Sequence, residues 1–182
     1  MRFTKLAVAV LGAAVLAVPS PAAIKALTLS ELMTINSEAA QVRILEKGSF
    51  ASDYPLAGVV WTKMKVQGVS LRTGEPVATE VVFLGSHGPQ DGYGTSEMPT
   101  LQDTRVGGEA VMFWFRDEAM PARLNVVSDL SAVYRIEKGF GEPVLVGKGE
   151  GLAFPENIKL VDAAAKIRAT HLELARQAGQ GK

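Results

Sequence analysis

The sequence predicts a mainly β domain. The expected form is a small, partly open antiparallel barrel, OB-like in layout, or a sandwich, with six or seven strands. A short helix stands before it and a longer one after it. Three observations carry this. Apolar residues recur at a period of two from about residue 40 to residue 146. Turn residues interrupt them every ~8–12 positions, the spacing of an all-β sandwich or barrel. No helical period falls between the strands, so crossovers joining parallel neighbours have no material to be made from.

The elements follow in order. Thr28-Leu29-Ser30-Glu31 has the hydroxyl and the carboxylate of a capping box. Leu29, Leu32, Met33 and Ile35 then keep helical spacing, which predicts a helix from about Leu29 to Ser37. Ala40 to Ile44 alternates as a half-buried strand, and Ser52-Asp53-Tyr54-Pro55 punctuates the chain. Gly58 to Val69 is a longer strand, with Val60, Thr62, Met64 and Val66 on one face and Trp61, Lys63, Lys65 and Gln67 on the other. Arg72 to Pro76 is a turn, and Val77 to Leu84 is the next strand, beginning after a proline. Residues 85–104 hold Gly85, Gly88, Gly92, Gly94, Pro89 and Pro99 and read as a long loop, of the kind that often carries function. Ala110 to Phe115 is six apolar residues between glycine and charge, which suits a central strand buried on both faces. Arg123–Val127 and Ala132–Ile136 read as a hairpin around Ser128-Asp129, and Val144 to Val146 as a last strand. Leu160 to Ala178 is a helix with Leu160, Ala164, Ile167, His171, Leu174 and Ala178 in one stripe, and Gly179 at its C-cap.

The residues before this domain read as a targeting segment. Arg2 and Lys5 precede an apolar run from Leu6 to Val18, and Ser20-Pro21-Ala22 supplies small residues for cleavage after Ala22. The run is shorter than the ~20 residues a membrane span requires. The expectation is a signal peptide at 1–22, a β domain at 27–152 and a helical segment at 153–182. The protein is then periplasmic or extracellular, with no transmembrane anchor after cleavage. The 182 residues contain no cysteine, which excludes disulfides, a thiol nucleophile and a lipid-modified cysteine. The 19 basic and 19 acidic residues balance. Loss of Arg2 and Lys5 tips the remainder slightly acidic, against a nucleic-acid partner.

A Leu-rich helix (Leu29 to Ile35) and a strand running into Val69-Ser70-Leu71-Arg72-Thr73-Gly74 come first. The glycine-rich loop Gly85 to Gly94, Pro99 and Gly107-Gly108-Glu109-Ala110-Val111-Met112-Phe113 follow. This succession resembles a group of exported bacterial proteins built on a single small β-barrel. The resemblance spans about residues 27–136 and implies the fold, with no activity attached to it.

Candidate sites are few. The chain lacks Gly-x-Ser-x-Gly. Ser86 and His87 are adjacent, so their side chains point apart and make a poor catalytic pair. His87, Asp91, Glu97 and Asp103 crowd the long loop, but Asp91-Gly-Tyr-Gly-Thr lacks the alternating acids of a calcium loop. A zinc site would need more than the one other histidine, His171. Gly147-Lys148-Gly149-Glu150-Gly151 departs from the phosphate-loop pattern and reads as a turn. No catalytic residue, cofactor or metal is predicted. The strand face of Trp61, Lys63, Lys65 and Gln67 remains, an aromatic among polar residues as on sugar- and strand-binding OB sheets. With His87, Asp91 and Tyr93 of the loop it forms the expected partner surface, unless the loop or the last helix covers Trp61. The function expected is a non-enzymatic binding module of the bacterial cell envelope, with an envelope protein or a cell-surface glycan as partner. The alternatives are a hydrolase or metal-dependent enzyme using the 85–104 loop, and a structural part of an envelope assembly.

Overall fold

The computed structural model describes residues 27–55, 58–87, 98–119, 124–139 and 141–180. The segment expected to be a signal peptide and the central part of the long loop lie outside them. Two helices and eight strands are present among the described residues: α1 (Leu29–Ile35), β1 (Glu38–Ser52), β2 (Val59–Ser70), β3 (Pro76–Leu84), β4 (Glu109–Arg116), β5 (Asn125–Val126), β6 (Val133–Glu137), β7 (Val144–Leu145), β8 (Ile158–Lys159) and α2 (Leu160–Gln180). The protein is a mainly β, OB-like barrel with a helix at each end, as the periodicity predicts.

The capping box forms: Thr28 Oγ1 accepts from the Glu31 amide at 3.3 Å, and Glu31 accepts from the Thr28 amide at 2.9 Å. α1 ends at Ile35, two residues before the expected end. Asn36 turns extended and its Nδ2 donates to Leu32 O at 2.9 Å. An asparagine side chain competes with the helix for its own carbonyls and so favours a stop.

β1 is far longer than the Ala40–Ile44 segment the alternation marks. It pairs with β2 from Ala40 to Ser52 and with β4 from Glu38 to Arg43, both antiparallel. Strand order β1-β2-β3-β5-β4, returned to β1 by the second pairing, makes a closed five-stranded barrel. β6, β7 and β8 extend the sheet from β4. A bulge between Ile44 and Glu46 adds Leu45 and reverses which side the later residues face. That reversal hides the strand from a period-two reading.

Residues 124–136 are not a hairpin. β5 pairs with β3 and β4, and β6 pairs with β4, while β5 and β6 do not pair with each other. They lie against different stretches of β4, Phe115–Arg116 and Glu109–Met112. The 3-10 turn Leu130–Ala132, capped by Asp129, carries the chain between them. The β3–β5 contact is parallel, the exception to an otherwise antiparallel sheet. It needs no helical crossover because β4 lies between the two in sequence.

β4 is central: Ala110, Val111, Met112, Phe113 and Trp114 are all buried. One face packs into the barrel; α1 contacts β4, and α2 contacts α1, β7 and β8. Ala163, Ala164 and Ile167 of α2 belong to this single core, together with Phe154. The small side chains of Ala163 and Ala164 let the helix approach closely. α2 continues through Gly179, which is therefore not a cap. No described helix is long and apolar enough to cross a membrane.

Gly68 sits where β1 and β2 press together. A Cβ there would lie 1.8 Å from Gln41 O. Gly68→Ala is expected to lower unfolding stability by about 2 kcal/mol or more, as overpacking against backbone does. Chemical denaturation checks this, and an unchanged midpoint would contradict the close approach.

Candidate functional site

The predicted strand face divides in the structure. Trp61 is only 5% exposed. It opposes Phe50 of β1 and joins Val59, Val82 and Val126 in a small apolar cluster outside the barrel. Its Nε1 donates to Tyr54 O at 2.9 Å. Trp61 is thus a packing residue, covered by the segment after β1 and by β5. Lys63 and Lys65 are exposed but paired, with Glu80 at 3.2 Å and Glu46 at 3.3 Å. Gln67 is exposed beyond them. Such surface pairs contribute little stability, but they cancel the charge a ligand would use. Asp91, Tyr93 and Glu97 lie outside the described residues.

His87 stands at one end of the barrel. The β1 bulge turns Lys47 and Ser49 to the side of their partners Met64 and Thr62, which is the inner side. Polar groups therefore gather at this mouth. Ser49 Oγ and Ser86 Oγ are 2.7 Å apart, Thr62 Oγ1 donates to Gly85 O at 2.7 Å, and Lys47 Nζ donates to Thr104 Oγ1 at 3.2 Å. The His87 ring stands edge-on to Phe83, with centroids 6.0 Å apart. Its Nδ1 is buried with no hydrogen-bond partner, so that nitrogen does not serve Ser86 as a base. Burial, and then the Lys47 charge, lower the His87 pKa, against an opposing effect of the Pro99 backbone.

Asp103, the other acid near the loop, is committed elsewhere. It is 4% exposed. Its Oδ2 accepts from Lys148 Nζ at 2.8 Å, and Arg135 Nη1 lies 3.7 Å from its Oδ1. Lys148 also donates to Leu130 O at 2.7 Å and lies 5.5 Å from the Tyr134 ring centre. Burial lowers the Lys148 pKa, while Asp103 works to raise it. Tyr134 is fully buried, edge-to-face with Phe113 and Phe154, and burial pushes its hydroxyl up to about 12. The glycine-flanked Lys148 is thus a structural cation. Gly149, at φ +99°, and Gly151, at φ +82°, let the chain double back, with Lys148 N–H bonded to Phe154 O.

This buried network holds the turn that builds the main concavity. From Asp103 the chain passes through Arg105 into Gly107 (φ +80°) and Gly108. Gly107 N–H donates to Ile44 O at 2.8 Å and Ile44 N–H to Gly108 O at 3.0 Å, which locks the turn onto β1. Between this turn, β1 and the end of β6 lies an open groove of about 630 Å³. Arg43, Arg105, Arg135 and Lys138 line it, with Glu109, Glu137 and Gln102. Lys138 pairs with Glu109, and Arg135 with Glu137 at 2.9 Å. Arg43 and Arg105 are exposed and have no ion-pair partner among the described residues.

Sequence reasoning missed this groove. Its cations come from positions 43, 105, 135 and 138, and a register joins them, not a motif. No group of three or more potential metal-ligating side chains occurs among the described residues. Comparison with known proteins finds no matching family model, curated protein or solved structure.

Two outcomes are expected. Asp103→Asn leaves Lys148 buried beside a neutral amide, so unfolding stability is expected to fall by about 3 kcal/mol. Urea denaturation with an unchanged m-value measures it, and a loss under about 0.5 kcal/mol, typical of a surface substitution, would refute the buried pair. His87 is expected to titrate below 6.5 by NMR. Because its folded pKa is lowered, the unfolded chain binds the proton first. Stability then falls as pH drops from about 6.5 through the folded value, and His87→Gln flattens that slope. A midpoint at or above 6.5 would contradict the described burial.

Proposed function

We propose that the protein is an exported, non-enzymatic binding module of the bacterial envelope, and that the groove between the 105–108 turn, β1 and β6 is its contact surface. One observation carries the reading. Arg43 and Arg105, without ion-pair partners among the described residues, flank an open concavity whose other described charges are matched. A guanidinium is a planar fork of donors that loses little freedom per hydrogen bond formed, and the backbone carrying these two is fixed where Gly107 and Gly108 bond to Ile44. The export part of the reading rests on the order of residues 1–22, basic, then apolar, then small.

Two arrangements favour binding over hydrolysis. His87 Nδ1 does not meet Ser86, and the Asp103 carboxylate is held by Lys148 and Arg135. Among the described residues, His87 Nδ1 and Asp103 are therefore not arranged to activate Ser86.

The test is retention of fractionated bacterial envelope on the immobilised protein. The wild type is expected to retain at least one fraction. The double variant Arg43→Ala with Arg105→Ala, with its melting temperature unchanged, is expected to lose about tenfold or more of that retention. Equal retention by the variant would remove the groove from the contact surface, and no retention by the wild type would overturn the binding role.

A further inference from the structure

We infer that the groove recognises an acidic glycan, a saccharide chain bearing carboxylate or phosphate groups; this rests on the binding role proposed above. The sign of the ligand follows from the charges left over. Glu109 and Glu137 are each occupied by a cation, at Lys138 and Arg135. What remains uncompensated is positive, at Arg43 and Arg105. A guanidinium presents parallel N–H donors that match the two oxygens of a carboxylate or phosphate.

The shape argues for a chain rather than a small molecule. The concavity is open and is lined chiefly by polar and charged side chains, unlike the enclosed, mostly apolar pockets that bury small ligands. An extended ligand can lie along it and present its acidic groups to the arginines in turn.

The remaining lining selects among polyanions. Among the described residues no aromatic side chain lines the groove, so they offer single-stranded nucleic acid no platform for base stacking. Glu109, Glu137 and Gln102 bring oxygen acceptors to the same surface. A sugar supplies hydroxyl donors for those oxygens between its charged groups. An acidic peptide such as polyglutamate carries no hydroxyls for those oxygens.

The wall that carries Arg105 is rigid for a reason visible beneath it. Two residues before Arg105, Asp103 is fixed by Lys148 and Arg135. Two residues after it, Gly107 is bonded to the backbone of β1. Arg43 sits on β1 beside Ile44, the residue that receives this turn. Both free guanidinium groups therefore spring from one locked junction.

Calorimetry with defined polymers tests this. The probes are oligogalacturonate for the carboxylate arm, phosphomannan for the phosphate arm, neutral dextran, and polyglutamate. Binding is expected to one or both charged, hydroxyl-bearing probes, weakening as salt is raised. Dextran is expected not to bind, and polyglutamate to bind at least about tenfold more weakly than the better charged glycan. Arg43→Ala and Arg105→Ala are each expected to weaken binding by about tenfold. Which of the two charged glycans binds more tightly identifies the acid group. Polyglutamate binding as tightly as either glycan, or dextran binding comparably, overturns the glycan assignment. So does failure of both charged glycans while the double variant still abolishes envelope retention; in that case the groove stays a contact surface for another ligand.

Discussion

β1 serves two neighbours at once. Along Glu38–Arg43 its edges are bonded to β4 on one side, and from Ala40 onward to β2 on the other. A strand shared in this way closes a sheet into a barrel. Everything else is hung on that closure. Where the pairing with β4 ends, the Gly107-Gly108 turn takes over and bonds to Ile44. One residue further on, the bulge at Leu45 reverses the faces and sends Lys47 and Ser49 inward to the polar mouth. The groove and the mouth are thus two products of one junction: Arg43 just before it, Lys47 just after.

The buried polar network has a comparable role beneath the groove. Asp103, Lys148 and Arg135 come from three segments distant in sequence, and Leu130 O joins them. Burying such charges is costly in itself, and hydrophobic replacements often match or exceed the stability of the pair. Its effect here is specificity of placement. It ties the turn before β4, the β6 edge and the glycine-flanked segment before α2 to one another. The aromatic stack of Phe113, Tyr134 and Phe154 packs alongside, with Lys148 near the Tyr134 ring. The groove wall inherits that rigidity.

Much of the architecture was legible in the residues because it is local. The Thr28–Glu31 box starts a helix, since four residues contain the whole interaction. Ala110 to Phe115 announces a central strand through its unbroken apolar run, and five of its six residues are buried. The stripe on α2 found the right face through Ala164 and Ile167. The site was less legible. Trp61 alternates with lysines, and alternation alone places it on the outer face without saying that Phe50, Val82 and Val126 cover it. Asp103 reads as one of several loop acids until its partners, Arg135 and Lys148, are brought to it. The apparent hairpin between residues 124 and 136 failed because pairing partners are chosen by the whole sheet, and β4 satisfies both strands better than they satisfy each other.

By itself the sequence determined the class of the domain, its two helices, the absence of any cysteine chemistry and which segments could enter a core. Those are matters of period, composition and short-range hydrogen bonding. The tertiary structure alone decided that the barrel closes, that Trp61 is buried, that Lys148 answers Asp103, and that Arg43 and Arg105 face one groove without partners. Each of these joins residues far apart in the chain, through strand register and through competition among charges for the same partners. No local pattern encodes that competition, because its outcome depends on which groups the closed sheet brings within reach of one another.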